Sequence, residues 1–206
     1  MCDGRDGKPE LGGFIKIAYY DLETWGLKPE YGQIMCASVL LLPEEKMVTL
    51  RQDQYVKDGL AEDLVDDKQL CIDLRDLLNK QHITSGWFSK GFDVTHLNTR
   101  LVANGETDLL KRGLHVDCIW YYKGWRGLKP MSSSMKNVAK FLKTAGVKGM
   151  EQKPEVSSET WQKARVGNKK AMDEIAKRCE ADVRITRAIT EFSADVGLIR
   201  NIQCYP

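Results

Sequence analysis

The chain has 206 residues, enough to bury a substantial core in one domain without disulfide or metal staples. Hydrophobic residues make up 42% and charged residues 29%, and no run approaches the roughly 18 apolar residues of a membrane span, which excludes a helical integral membrane protein. The net charge of +2 hides an asymmetry: residues 1–110 carry 12 Lys+Arg and 19 Asp+Glu (−7), and residues 111–206 carry 19 and 10 (+9). Solvated helix faces account for such a split. So does an acidic pocket facing a basic surface that attracts a polyanion such as nucleic acid.

The N-terminal MCDGRDGKPELGG is polar and Gly-rich, with no apolar segment for a signal peptide. It reads as a flexible leader over residues 1–13 before a single domain at 14–206. FIKIAYYD (14–21) has the composition of a central strand, and QIMCASVLLL and KMVTLR, joined by LPEE, read as a hairpin. Three consecutive strands with short connections predict an antiparallel meander. Leu70, Leu74, Leu77 and Leu78 recur at helical spacing. HITSGWF reads as a short strand before a helix over about 94–104, and HVDCIW as another strand. Met135, Val138 and Leu142 mark a helix, and Ala171, Ile175, Cys179 and Val183 mark a long final one. GLKPMSSS and GVKGMEQKPEVSS read as loops, the first ending in Ser residues suited to cap the helix behind it. This order predicts an α/β fold whose mixed sheet is antiparallel over three strands and then parallel, flanked by helices.

Six scattered cysteines (Cys2, Cys36, Cys71, Cys118, Cys179, Cys204) offer no metal-ligand spacing and no small secreted framework. Free thiols in a reducing, cytoplasmic setting are expected. The three histidines (His82, His96, His115) are isolated, so zinc is not expected and metal chemistry falls to carboxylates. Asp21-Leu22-Glu23 follows the first strand, where residues two apart project from one face and can reach one point in space. Such oxygen ligands suit Mg²⁺ or Mn²⁺. By itself D-x-E also describes a solvated turn.

Three segments together resemble the DEDD superfamily of exonucleases, built on a ribonuclease-H-like fold. YYDLETWGL is similar to its first motif, GWFSKGFDVTHLNTRL to its second and EIAKRCEADVRITRAI to its third. HVDCIWYYKG, SSSMKNVAKFL and WQKARVGNKKAMDEI resemble connecting segments of the predicted ribonuclease-H-like exonucleases within that superfamily. The resemblance covers about residues 14–192, with the motifs in order. It implies that Asp21 bridges two divalent cations, Mg²⁺ or Mn²⁺, that Glu23 and Asp182 complete one site, and that Asp93 serves the other, partly through water. Two cations roughly 3.5–4 Å apart activate a water and stabilise the leaving oxygen of a phosphodiester. Four clustered carboxylates also repel one another, which is an independent reason to expect metal.

The chain departs from the family pattern at three places. The tyrosine-type branch has Tyr four residues before the last Asp, where this chain has Arg178; the histidine-type branch has His five before it, where this chain has Lys177. The second motif commonly carries Asn where Phe88 stands. Arg178 lies one helical turn before Asp182, so it should point toward the mouth of the site and grip a phosphate, or else pair with Glu174 or Asp182. Lys177 and Trp25 are further candidates for substrate contact. Asp117, at a strand end, reads either as an outer carboxylate near the metals or as an acceptor for backbone amides. His115 reads as a satisfied core histidine rather than a catalytic base. Trp87, and the crowded Trp120, Tyr121, Tyr122 and Trp125 beside Lys123 and Arg126, suit either a nucleic-acid track or ordinary core packing.

The expected function is that of a metal-dependent 3′–5′ exonuclease acting on single-stranded or 3′ ends of DNA or RNA, with no membrane partner. Two alternatives stay open: a ribonuclease-H-like endonuclease on hybrid or structured nucleic acid, and a catalytically silent nucleic-acid-binding module.

Overall fold

The computed structural model describes residues 14–55, 66–111, 113–124, 127–199 and 203–204. The expected leader over 1–13, Trp125 and Arg126 lie outside the described residues. Among the described residues one sheet contains β1 (Ile17–Trp25), β2 (Gln33–Leu42), β3 (Lys46–Arg51), β4 (Ile83–Gly86), β5 (Leu114–Asp117) and β6 (Gln203–Cys204), in the order β3-β2-β1-β4-β5-β6. β1, β2 and β3 form an antiparallel meander, β4 pairs with β1 and β5 with β4 in parallel, and β6 closes the far edge antiparallel. The expected mixed sheet is present, three antiparallel strands followed by parallel ones.

Helices α1 (Lys68–Asn79), α2 (Asp93–Ala103), α3 (Met135–Thr144), α4 (Ser158–Arg165) and α5 (Lys169–Asp195) cover the two faces. Strand alternation decides which residues go where. Ala18, Tyr20 and Leu22 of β1 bury one face against Leu70, Leu74 and Leu78 of α1 and Val94, Leu97 and Leu101 of α2. On the other face Tyr19 and Leu40 meet Val183 of α5, and Met35 and Cys36 meet Ile175 and Cys179. Val116 joins Val138 and Leu142 of α3 and Ile185 and Ile189 of α5. Each fully buried aliphatic side chain here contributes about 1.5–3 kcal/mol. Ser134, Ser157 and Asn168 cap α3, α4 and α5 by accepting the amides of Asn137, Thr160 and Ala171. The Ser cap read at the end of GLKPMSSS is therefore real.

Four expectations are corrected. β1 does not end at Asp21 but runs to Trp25, because β2 pairs with it as far as Gln33. Both acids of D-x-E lie inside the strand. The HITSGWF strand is shorter, Ile83–Gly86, and Trp87 opens the turn toward α2. β5 stops at Asp117, and Cys118–Tyr122 winds into a 3-10 turn. That turn is pulled onto α5: Cys118 Sγ lies 2.9 Å from Thr190 Oγ1 and Tyr122 Oη 2.8 Å from Ser193 Oγ. Finally, α4 is a helix at the start of a stretch whose resemblance is to a connecting segment. Only Ala164 of it is buried, so it has no apolar stripe to mark it in the sequence.

Cys36, Cys71, Cys118 and Cys179 are free and buried. None of the described helices is long and apolar enough to cross a membrane.

Candidate active site

The site is assembled at the C-terminal ends of β1 and β4, the crevice where open α/β sheets place ligands. Asp21 and Glu23 share the β1 face that α5 covers, and the register with β2 shifts by a bulge immediately after Glu23. α5 presents Asp182 to that face, with Cys179 below it: Cys179 Sγ lies 3.3 Å from the Asp21 carbonyl oxygen. Ligand oxygens of Asp21, Glu23 and Asp182 all lie within 4.8 Å of one another. The neighbouring residues 21 and 23 and the distant residue 182 therefore bring carboxylate oxygens together at one place.

Asp93 reaches the site from the other side of the sheet. It is the first residue of α2, and its Oδ1 accepts the Leu22 amide at 3.1 Å. It stands outside the group of three but faces the same open cleft of about 300 Å³, together with Asp21, Asp182, Trp87 and Phe88. Two cationic side chains counter the four carboxylates. Lys153, on the loop before α4, pairs with Asp182 Oδ2. Arg178 Nε donates to Glu23 Oε1 at 2.8 Å and its Nη1 to the Pro154 carbonyl at 3.2 Å. Arg178 thus pairs with Glu23, not with Glu174 or Asp182. The i,i+4 geometry sets the face of the helix; the strand opposite supplies the nearer carboxylate.

Burial raises all four carboxyls above their ordinary range. For Asp21 the rise is large, with the charges of Asp93, Asp182 and Glu23 adding to the loss of water. Asp93 is pushed up to about 7, chiefly by burial, while its own and the Leu22 amide oppose the rise. Glu23 and Asp182 are raised by burial against the pull of Arg178 and Lys153 respectively. Asp182 Oδ1 is buried with no hydrogen-bond partner among the described residues. An orphaned carboxylate oxygen costs free energy unless something satisfies it. With all four acids ionised, two bases would leave two negative charges uncovered, and the donor set is all oxygen, so these residues fit a divalent cation.

The remaining candidates divide. Asp117 Oδ2 accepts the Lys90 amide at 3.1 Å, the strand-end role. It lies close enough for its charge to raise Asp93 further. His115 is a core histidine, with Nδ1 2.7 Å from Thr84 Oγ1 and Nε2 2.8 Å from Ser89 Oγ. Trp25 packs against the core beside Met35 and Cys36, with the Arg165 guanidinium 4.6 Å above its ring. Lys177 is exposed on α5. Trp87 packs inward against Tyr122, rings 5.8 Å apart, while also lining the cleft. Trp120 turns outward, 47% exposed. Lys153 was invisible in sequence. It is one of 31 Lys and Arg residues, in a loop with no motif, and only the fold brings it to Asp182.

A family model described as the RNase_H superfamily matches residues 18–193. No protein of curated function matches the chain by sequence. Among solved structures, the family B DNA polymerase from the hyperthermophilic archaeon Pyrobaculum calidifontis is similar in fold, with a TM-score of 0.66 and 14% identity. The match covers 90% of this chain and 25% of that one, so the chain spans about a quarter of the polymerase's length.

Proposed function

Since the chain belongs to the RNase_H superfamily and its function is of the nuclease type, we propose that it is a metal-dependent 3′–5′ exonuclease that shortens DNA or RNA from single-stranded 3′ ends. The observation that carries this reading is the convergence of Asp21, Glu23 and Asp182, with Asp93 across the same cleft. Asp21, Glu23 and Asp182 would hold one Mg²⁺ or Mn²⁺, and Asp21 with Asp93 a second. When bound, the pair supplies an activated water and neutralises charge on the leaving oxygen. The protein's own groups do the rest. Lys153 holds Asp182 in place and brings a positive charge into the cleft where a phosphate would lie. The start of α3, at Ser133, the cap Ser134 and Met135, lines the same cleft, and a helix N-terminus favours anions. Lys136, Lys140 and Lys143 stand exposed along α3, giving a polyanion a basic path away from the carboxylates.

The digest that tests this compares end-labelled linear strands of DNA and RNA with a covalently closed single-stranded circle, in Mg²⁺ and in Mn²⁺. The expected result is release of the 3′ label as mononucleotide, a shortening 5′-labelled ladder, and an intact circle. A nicked circle replaces the exonuclease with an endonuclease. An absence of any hydrolysis ends the enzyme reading.

A guanidinium such as that of Arg178 donates hydrogen bonds but accepts none, so it cannot serve as a general base. Paired with Glu23, it would meet a phosphate bound at the carboxylates, and a charge-assisted contact of that kind is worth roughly tenfold or more in affinity. Arg178→Ala is therefore expected to raise the substrate KM by about that factor and to change turnover less, the pattern of lost uniform binding. Unchanged constants on every substrate would leave Arg178 as a brace between β1 and the Pro154 loop.

A further inference from the structure

Phe88 adopts a left-handed backbone, φ 57°, which a bulky aromatic residue rarely does and which strains the turn between β4 and α2. Nothing in the core calls for it there: Trp87 and Tyr122 fill the adjoining interior, and the Phe88 side chain is left 42% exposed. Its ring lies over the backbone of Gly91, where an added Cβ would come within 2.5 Å of it. The glycine thus makes room for the ring. Trp120 is also exposed, and the Lys123 ammonium approaches both rings, 5.4 Å from the Phe88 ring centre and 4.4 Å from that of Trp120. Phe88 lines the same cleft as Asp21, Asp93 and Asp182.

Two exposed aromatic rings sharing one ammonium, the first of them lining a carboxylate cleft, match the chemistry of one ligand. We infer that Phe88, Trp120 and Lys123 form a stacking site for an unpaired nucleobase of the strand whose phosphate lies at the carboxylates, an inference that rests on the nuclease reading above. A base takes the place of the ammonium against the ring faces, and the ammonium moves to a neighbouring phosphate. Because every base has a flat π-face, the site accepts any sequence but requires a single strand. The strain at position 88 is then a cost of holding the ring in the cleft rather than in the core.

The test is equilibrium binding in Ca²⁺, followed by fluorescence anisotropy. The probe is a 5′-labelled single strand of about twelve thymidines, compared with the same strand made abasic at its last two positions. For the wild type, removing the bases is expected to weaken binding about tenfold or more, the scale of lost base–aromatic stacking. Phe88→Asn is the informative variant, because Asn tolerates the left-handed backbone and the protein should melt at or above the wild-type temperature. It is expected to lose about tenfold on the intact strand and almost nothing on the abasic one. Trp120→Ala, at an exposed position, should show the same pattern. Equal losses on both strands, or none on either, for both variants would overturn the stacking site. A wild type that cuts labelled strands but shows no such coupling sinks this inference alone. A wild type that neither binds nor cuts them sinks the nuclease reading and the inference with it.

Discussion

Asp21→Asn is expected to lower turnover by on the order of 10³-fold, the scale lost when one preorganised charge-stabilising group is removed, and to leave the protein folded. Asp21 is the residue on which the other three carboxylates converge: the charges of Asp93, Asp182 and Glu23 all act on it, and burial already holds its carboxyl well above the usual range. An amide of the same shape removes that repulsion. In chelator, therefore, the variant should melt at or above the wild-type temperature. With Mg²⁺ or Mn²⁺ present the order should reverse, because the wild type gains from metal binding and the variant loses a shared ligand. Wild type in excess chelator should be as silent as the variant. Turnover by Asp21→Asn within tenfold of wild type, or full wild-type activity in chelator, would remove Asp21 from the reaction.

The second large effect concerns pH. Metal-free wild type is expected to lose stability relative to Asp93→Asn as pH rises through neutrality. Burial pushes Asp93 up to about 7, above the unfolded value of roughly 3.9, so the folded state binds the extra proton. Its contribution to stability is complete below the unfolded value, falls across the interval, and is gone above about 7. His115 has the opposite sign. Burial pushes it down to about 3, so the folded protein keeps it neutral and its contribution is lost as pH falls from about 6.5. The two oppose each other in mild acid, which is why the comparison with Asp93→Asn is needed: His115 is common to both proteins and cancels. The amide also keeps an oxygen to accept the Leu22 N–H. The two melting temperatures should lie close together at pH 5 and differ by roughly 5–10 °C at pH 8, the variant being higher. Adding Mg²⁺ at pH 8 should close the gap by stabilising the wild type. Parallel pH profiles for the two proteins in chelator would show that Asp93 does not titrate in this interval.

Local pattern by itself determined the elements that carry a repeating signal. The β2–β3 hairpin was legible from two β-rich runs around LPEE, and α1 and α5 from apolar residues at a spacing of three and four, because those periods state directly which face is buried. Asp21 and Glu23 were legible as a pair, since a strand turns residues two apart to one side. Asp93 and Asp182 are legible only through the resemblance of their flanking segments, because a single acid in a helix has no period of its own.

Tertiary structure decided what depends on residues distant in the chain. Asp67 shows this away from the site: it receives Arg100 at 2.7 Å, Asn104 at 2.8 Å and the Ile34 amide at 2.8 Å, tying the start of α1 to α2 and β2, yet it reads in sequence as one more loop acid. The same holds for Lys153 on Asp182, for Glu23 rather than Glu174 as the partner of Arg178, and for the inward turn of Tyr122 beside the outward turn of Trp120. α4 escaped for a related reason: a helix that buries one alanine is held by its Ser157 cap and its contact with α5, not by a pattern of its own. Charges and aromatics are tolerated at many positions, so their type does not specify a partner. Only the packing of the sheet between its two helical layers fixes which of them meet, and in how little water.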